Sequence, residues 1–117
     1  MIESIKAHKQ TSEMTHHDLV RHVFSLSELE GSAYAHLQSR EMTVLGLSRK
    51  LDRDRTTAQR VLKRLASSGL VHKRVHIPKG GGRKYYYAAL ETDVLKGRMH
   101  KKADAWHAAL KQRIELI

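Results

Sequence analysis

The sequence predicts a mainly α-helical domain that carries a small β-hairpin and ends in a long helix. Three observations predict it. Apolar residues recur at helical spacing in four segments between residues 15 and 68, each opened by a capping residue. Alternating residues from Leu70 to Ile77 then face a second run of strand formers, Tyr85 to Leu90, across the loop PKGGGRK. Beyond Thr92, a polar segment with regularly spaced apolar positions continues nearly to Ile117.

Residues Met1 to Ser12 are weakly periodic, and fraying or a short helix docked by Ile2 and Ile5 is expected there. Thr15 caps HHDLVRHVF, which places Leu19, Val20, Val23 and Phe24 on one face. Ser27 and Glu30 form an S-x-x-E capping box. The helix that follows turns Leu29, Ala33, Leu37 and either Tyr34 or His36 inward, with Gly31 as its weak point. Arg40 to Thr43 is a break. Thr43 then caps VLGLSRKL, with Val44, Leu47 and Leu51 on one side, and Asp52 and Arg53 turn the chain. Asp54 caps RTTAQRVLKRLASS, whose Ala58, Val61, Leu62 and Leu65 stand at i, i+3, i+4 and i+7. Gly69 stops this helix in the left-handed position past its end. In the strand after it, Val71, Lys73, Val75 and Ile77 share one side, with Val71, Val75 and Ile77 as the apolar set. Gly80 to Gly82 exclude regular structure from the hairpin loop. Thr92 or Asp93 caps the last helix, where Met99, Ala103, Trp106, Leu110, Arg113 and Ile117 follow one another at steps of four and three.

Composition narrows the function. The chain has 117 residues, the size of one domain. It lacks cysteine, which excludes disulfides, thiolate-bound metals and thiol catalysis. The longest apolar run, Tyr85 to Leu90, is too short for a membrane-spanning helix or a signal-peptide core, so a soluble cytoplasmic protein is expected. There are 22 Lys and Arg against 12 Asp and Glu, a formal charge of +10. The window 49–84 holds twelve basic and two acidic residues and carries all of that excess; the other 81 residues balance. A confined excess points to an anionic partner docking at one place, beside the plainer reading of a solvated basic face.

A short helix, a turn, a second helix and a basic-tipped hairpin together make a winged helix-turn-helix. The second helix of such a unit exposes its first turns to the phosphate-lined groove of a duplex, and the hairpin, or wing, adds a cationic finger beside it. TVLGLSRKLDRDRTTAQRVLKRLASSGLV resembles the helix-turn-helix of archaeal TrmB-like and bacterial MarR-like transcription regulators. GGGRKYYYAALETDVLKGRM, together with the late Trp106, is similar to the TrmB-like branch in particular. The resemblance covers about residues 27–117 and implies DNA binding and regulation of transcription. Asp52 and Arg53 depart from the pattern, which often has glycine and a buried aliphatic residue there. Sugar-sensing members carry a C-terminal effector domain, whereas this chain stops after one helix, so sugar binding is not expected from the resemblance. The expected organisation is an N-terminal extension and helix over 1–26, the winged domain over 27–90 and a dimerisation helix over 91–117.

The apolar stripe of the helix over 55–68 leaves Arg55, Thr56, Gln59, Arg60 and Lys63 outside, with Thr57 at the boundary. Gln59 and Arg60 are the candidate base readers, since Gln pairs bidentately with adenine and Arg with guanine. Thr56 suits a phosphate or a thymine methyl, and Arg55 and Lys63 suit phosphates. Arg49 and Lys50 are candidate backbone contacts. In the wing over 78–84, Lys79, Arg83 and Lys84 are the candidates, with Arg83 the one suited to a minor groove. Tyr85, Tyr86 and Tyr87 fit strand residues alternating between core and surface better than a stacking platform for single strands. Met99, Ala103, Trp106, Leu110 and Ile117 form the candidate homodimer seam, because a terminal helix about 38 Å long overhangs a small domain; packing of that seam on its own domain is the alternative.

Nine histidines invite a metal reading. His72 and His76, however, stand about 13 Å apart on a strand, too far to share an ion, and no metal or other cofactor is expected. No nucleophile elbow, phosphate loop, dinucleotide fingerprint or paired carboxylate marks an enzyme, and no motif marks a small-molecule effector. Three readings remain: a sequence-specific dimeric regulator on double-stranded DNA, an architectural chromatin protein with little sequence preference, and a protein-binding module. Base-reading side chains beside the phosphate contacts favour the first.

Overall fold

The computed structural model describes residues 14–117; the expectation for Met1 to Ser12 lies outside the described residues. Helix α1 (His16–Val23) begins at Thr15, whose hydroxyl accepts the Asp18 amide at 3.1 Å. Val20 and Phe24 are buried, and Leu19 and Val23 are half-buried. Helix α2 (Glu28–Ser39) opens with both halves of a capping box: the Glu30 amide donates to Ser27 Oγ at 3.1 Å, and the Ser27 amide donates to Glu30 Oε1 at 2.8 Å. Tyr34, not His36, takes the inward place beside Ala33 and Leu37. Gly31 lies where α1 crosses. A Cβ there would stand 3.2 Å from Arg21 Cδ, and Arg21 Nε donates to the Leu26 carbonyl at 3.1 Å. The residue that weakens α2 by its freedom is the one that lets Arg21 lie against it.

Helix α3 (Val44–Leu51) is capped by Thr43, which accepts the Gly46 amide at 3.0 Å, and ends at Asp52 with φ 53°. Aspartate enters this left-handed region more readily than most residues. Helix α4 (Arg55–Ser67) starts at Asp54 and buries Ala58, Val61, Leu62 and Leu65. Its end is a Schellman motif. Gly69, at φ 76°, donates to the Ala66 carbonyl at 3.0 Å, and Leu70 donates to that of Leu65 at 3.0 Å, with both leucines fully buried. Tyr34, Leu47, Leu62, Leu65 and Leu70 are the largest side chains sealed in the core.

Strands β1 (Val71–His76) and β2 (Lys84–Ala89) form an antiparallel pair, from Val71 opposite Ala89 to His76 opposite Lys84. The apolar side expected along β1 is only partly covered. Val71 is buried, but Val75 and Ile77 are 49% and 63% exposed. Alternation marks a strand; burial needs something to cover it, and past its first pairs the hairpin runs beyond the helices. Its base is held by the segment before α3. Met42 and Tyr87 exchange backbone hydrogen bonds of 3.0 and 2.8 Å, so the expected break at Arg40 to Thr43 contains a one-residue third strand.

Helix α5 (Thr92–Glu115) starts after Glu91, one or two residues before the expected Thr92 or Asp93 cap, and has no side-chain cap. The Leu90 amide still bonds the Leu70 carbonyl at 3.1 Å, so the wing's base holds the chain until Leu90 and the turn into α5 falls on the next residue. Leu95 is buried and Met99 half-buried against the body. The rest of α5 projects, and the molecule measures 63 × 24 × 23 Å. The result is a mainly α-helical winged helix-turn-helix with a small hairpin wing and a long C-terminal helix.

Candidate nucleic-acid interface

The buried stripe of α4 decides what the helix shows to solvent. Arg55, Thr56, Gln59, Arg60 and Lys63 are exposed, as are Arg49 and Lys50 in the last turn of α3. Thr57 is half-buried and belongs to the cap. Its amide donates to Asp54 Oδ1 at 2.8 Å, and hydrogen bonds from Thr57 hold the Asp54 carboxyl below the usual carboxylate range, with the charge of Arg60 adding a smaller pull. Asp54 thereby places an anion at the amide end of α4, close to the outward face.

Two of the twelve basic residues in the 49–84 window form ion pairs among the described residues. Arg64 Nε lies 3.7 Å from Glu30 Oε2, which ties the flank of α4 to the start of α2. Arg74 forms a fork with Glu41: Nε donates to Oε2 at 3.1 Å and Nη2 to Oε1 at 2.6 Å. This fork pulls the Glu41 carboxyl below its ordinary range and raises the Arg74 guanidinium above its own. The Arg74 guanidinium also sits 5.0 Å from the Tyr86 ring centre, and Lys73 Nζ 4.2 Å from that of Tyr85. Sequence reasoning counted Arg64 and Arg74 as charge and missed these pairings, because both acids lie far away in the chain. Glu41 is one residue from the Met42 bridge, so backbone and ion pair fasten the wing's stem to the same short segment.

Lys79, Arg83 and Lys84 are exposed around the tip. Gly81 and Gly82 adopt φ of 89° and 80°, and the Gly81 amide bonds the Pro78 carbonyl at 3.0 Å. The tip is thus a turn that only glycine enters without strain. Tyr87 packs against the core, whereas Tyr85, on the same side of β2 and nearer the tip, is exposed, and Tyr86 on the other side is half-buried. Burial of the three tyrosines follows distance from the body and not the expected alternation between core and surface.

On α5, Met99 packs against the core and Leu110 is half-buried, whereas Ala103 and Trp106 are exposed, Trp106 to 60%. Ile117 lies past the end of the helix, which stops at Glu115. Ile114, exposed to 48%, is an apolar residue of the final helical turn that the heptad count passed over in favour of Arg113. Lys102 Nζ stands 6.0 Å from the Phe24 ring centre, at the place where α5 leaves α1. Among the described residues no group of three or more His, Asp or Glu is placed to hold a metal ion. No described helix is long and apolar enough to cross a membrane.

The family model described as sugar-specific transcriptional regulator TrmB matches residues 20–93, which span α1 to the first turn of α5. The chain belongs to the TrmB family. The match spans the whole winged unit and places the chain among transcription regulators. An uncharacterized protein of Methanocaldococcus jannaschii is 33% identical over 96 residues, covering 81% of this chain and 79% of that one. Among solved structures, a Methanosarcina mazei Go1 chain described as a possible transcriptional regulator has a TM-score of 0.71 at 21% identity and covers 84% of each chain. A Sulfolobus tokodaii protein has a TM-score of 0.63 at 18% identity, over 80% of this chain and 92% of that one. The MepR–DNA complex of S. aureus has a TM-score of 0.54 at 14% identity, over 98% of this chain and 92% of that one. At these identities the structures speak for the fold, which the TrmB-family chain shares with them.

Proposed function

We propose that this chain is a sequence-specific transcription regulator that binds double-stranded DNA as a homodimer. The observation that carries the reading is the division of α4. Its apolar stripe is sealed in the core, and Arg55, Thr56, Gln59, Arg60 and Lys63 are left in solvent at the first turns of a helix-turn-helix. In this reading α4 enters the major groove, Gln59 and Arg60 read base edges, and Thr56, Arg55 and Lys63 hold the register on phosphates. Arg49 and Lys50 bind the backbone, and Lys79, Arg83 and Lys84 carry the wing to the flanking phosphates or minor groove. Thr57 serves by fixing Asp54 at the cap. A TrmB-family membership and a fold shared with a regulator known in a DNA complex support this reading.

The second copy is argued from α5. Its core-facing stripe begins with Leu95 and Met99 and continues through Ala103 and Trp106, which are exposed, to the half-buried Leu110, none of the last three packed against the core of the described residues. A partner helix covers that stripe and doubles the half-site, with Trp106 as the anchor.

The test is binding of labelled duplex followed by anisotropy over a series of salt concentrations. With roughly six to ten phosphate contacts, affinity falls by about 10³ to 10⁵ between 50 and 200 mM salt. Gln59→Ala and Arg60→Ala each lose about 1–3 kcal/mol on a preferred site and little on bulk DNA. Equal losses on both would remove these side chains from base reading and favour an architectural protein.

A further inference from the structure

The wing carries apolar surface that the chain does not use. Val75 and Tyr85 stand opposite each other on β1 and β2, and both are exposed, to 49% and 37%; Ile77, on the same side of β1 and nearer the tip, is exposed to 63%. The last paired residues are His76 and Lys84. One step past the ladder on either strand come Ile77 and Arg83, both exposed, so an aliphatic side chain and a guanidinium flank the tip. Beyond them the loop is slender. Nothing lies within 4 Å of a Cβ built at Gly80, Gly81 or Gly82, and only Gly81 and Gly82 need glycine for their positive φ. Nothing among the described residues asks for glycine at position 80. A turn of three residues without side chains is the slimmest end a hairpin can present to a narrow space such as the minor groove, about 6 Å wide.

The stem behind the tip is braced. The Met42–Tyr87 bridge and the Glu41–Arg74 fork join it to the segment before α3. A push on the tip is therefore resisted by the body.

We propose that the wing tip is a minor-groove wedge, in which Ile77 inserts at a base step while Arg83 and Lys79 hold the groove and its phosphates, so that bound DNA is bent. The proposal rests on the duplex-binding reading above and adds to it a mechanical act at a place that reading leaves to charge. The occupant follows from charge complementarity. The exposed aliphatic group belongs to a hairpin whose Lys73, Lys79, Arg83 and Lys84 are exposed as well, a setting that attracts a polyanion. Apolar side chains partly unstack a step when they enter from the minor groove, and the kink is typically about 20–90° toward the major groove. Pyrimidine–purine steps yield most easily, so the wedge selects sequence at positions where it makes no hydrogen bond.

The experiment uses the full chain and a duplex of about 30 base pairs with several TA steps, dye-labelled at both ends and read by energy transfer. The wild-type complex is expected to bring the ends closer. Ile77→Ser is expected to bind with an unchanged salt slope, since no charge is removed, yet to leave the duplex straight. Ile77→Leu restores the bend, and Val75→Ser, further down the stem, keeps it. Arg83→Ala lowers the salt slope by about one. Circular dichroism of each variant confirms that the fold is retained. A wild-type complex that is tight but straight, or an Ile77→Ser complex bent like the wild type, overturns the wedge and leaves duplex binding standing. Loss of self-association in Ile77→Ser without DNA overturns it in favour of an interface between copies. Failure of the wild type to bind the duplex at low salt overturns both the wedge and the reading beneath it.

Discussion

Gly69 shows how one residue joins the two working parts of the molecule. It ends α4 at φ 76°, hands the chain to β1, and lies against the Arg98 side chain from α5. A β-carbon there is strained by the backbone whatever the space around it, and a left-handed residue costs about 1–2 kcal/mol. Gly69→Ala is therefore expected to lower unfolding stability by that amount in a denaturant titration. Gly69→Asn should lose less, since asparagine tolerates the conformation. Equal stability of the alanine variant would mean that the turn is not held as described. The Arg98 guanidinium adds little to the cost, because the end of a long side chain moves away cheaply. Tyr34 is the opposite kind of residue. It is sealed in the core, its hydroxyl makes no hydrogen bond of good geometry among the described residues, and burial pushes its phenol above the ordinary range. Its ring, not its hydroxyl, is what the core uses.

At the scale of the element, caps and clamps set the pH response. The Asp54 carboxyl is held down by hydrogen bonds from Thr57, and that of Glu41 by the fork from Arg74. A carboxyl whose folded value lies below its unfolded value adds stability that is complete above the unfolded value, near pH 4, and is lost as pH falls through the folded one. Denaturation midpoints are thus expected to be level from neutral pH down to the carboxylate range and to drop below it. Asp54→Asn and Glu41→Gln should flatten that drop, and the Glu41 share should shrink in salt because its pair is exposed. An unchanged acid limb in both variants would contradict the cap and the clamp as sources. The same elements show what the sequence could disclose. Thr15, Ser27, Thr43 and Asp54 cap their helices as the sequence indicates, because capping is settled by neighbours three residues away. The start of α5 was misplaced by a distant bond, from Leu90 to Leu70. The Met42 bridge had no local signal at all, since a one-residue strand has no period. The apolar side of β1 was legible as a strand and misleading as core, for nothing in a hairpin's own alternation says how far it reaches beyond the body.

At the scale of the whole molecule, the exposed face of α4 was legible because it is the complement of a regular apolar stripe; the braced wing was not, because it depends on Glu41 and Met42, far from the residues they hold. Helix α5 runs on for about four turns past Met99, its last apolar residue packed on the core, and carries Trp106 and Ile114 exposed. In the dimer reading Leu110→Glu weakens self-association roughly 10²-fold, the scale of an interface hot spot, while leaving the winged body folded. Sedimentation at several concentrations checks this, and a variant that sediments like the wild type would place the interface elsewhere. The dimer and the reading helix meet in one observable, the site that the protein selects. Two copies related by a twofold axis read two half-sites, with centres about 10 base pairs, or a multiple of a helical turn, apart. The most direct test is selection from a random duplex pool with the full chain at moderate salt. Enrichment of one palindromic site with that spacing is expected, blurred by Gln59→Ala or Arg60→Ala. A pool that is bound steeply with salt and returned without enrichment would contradict it, leaving a protein that coats DNA instead of reading it.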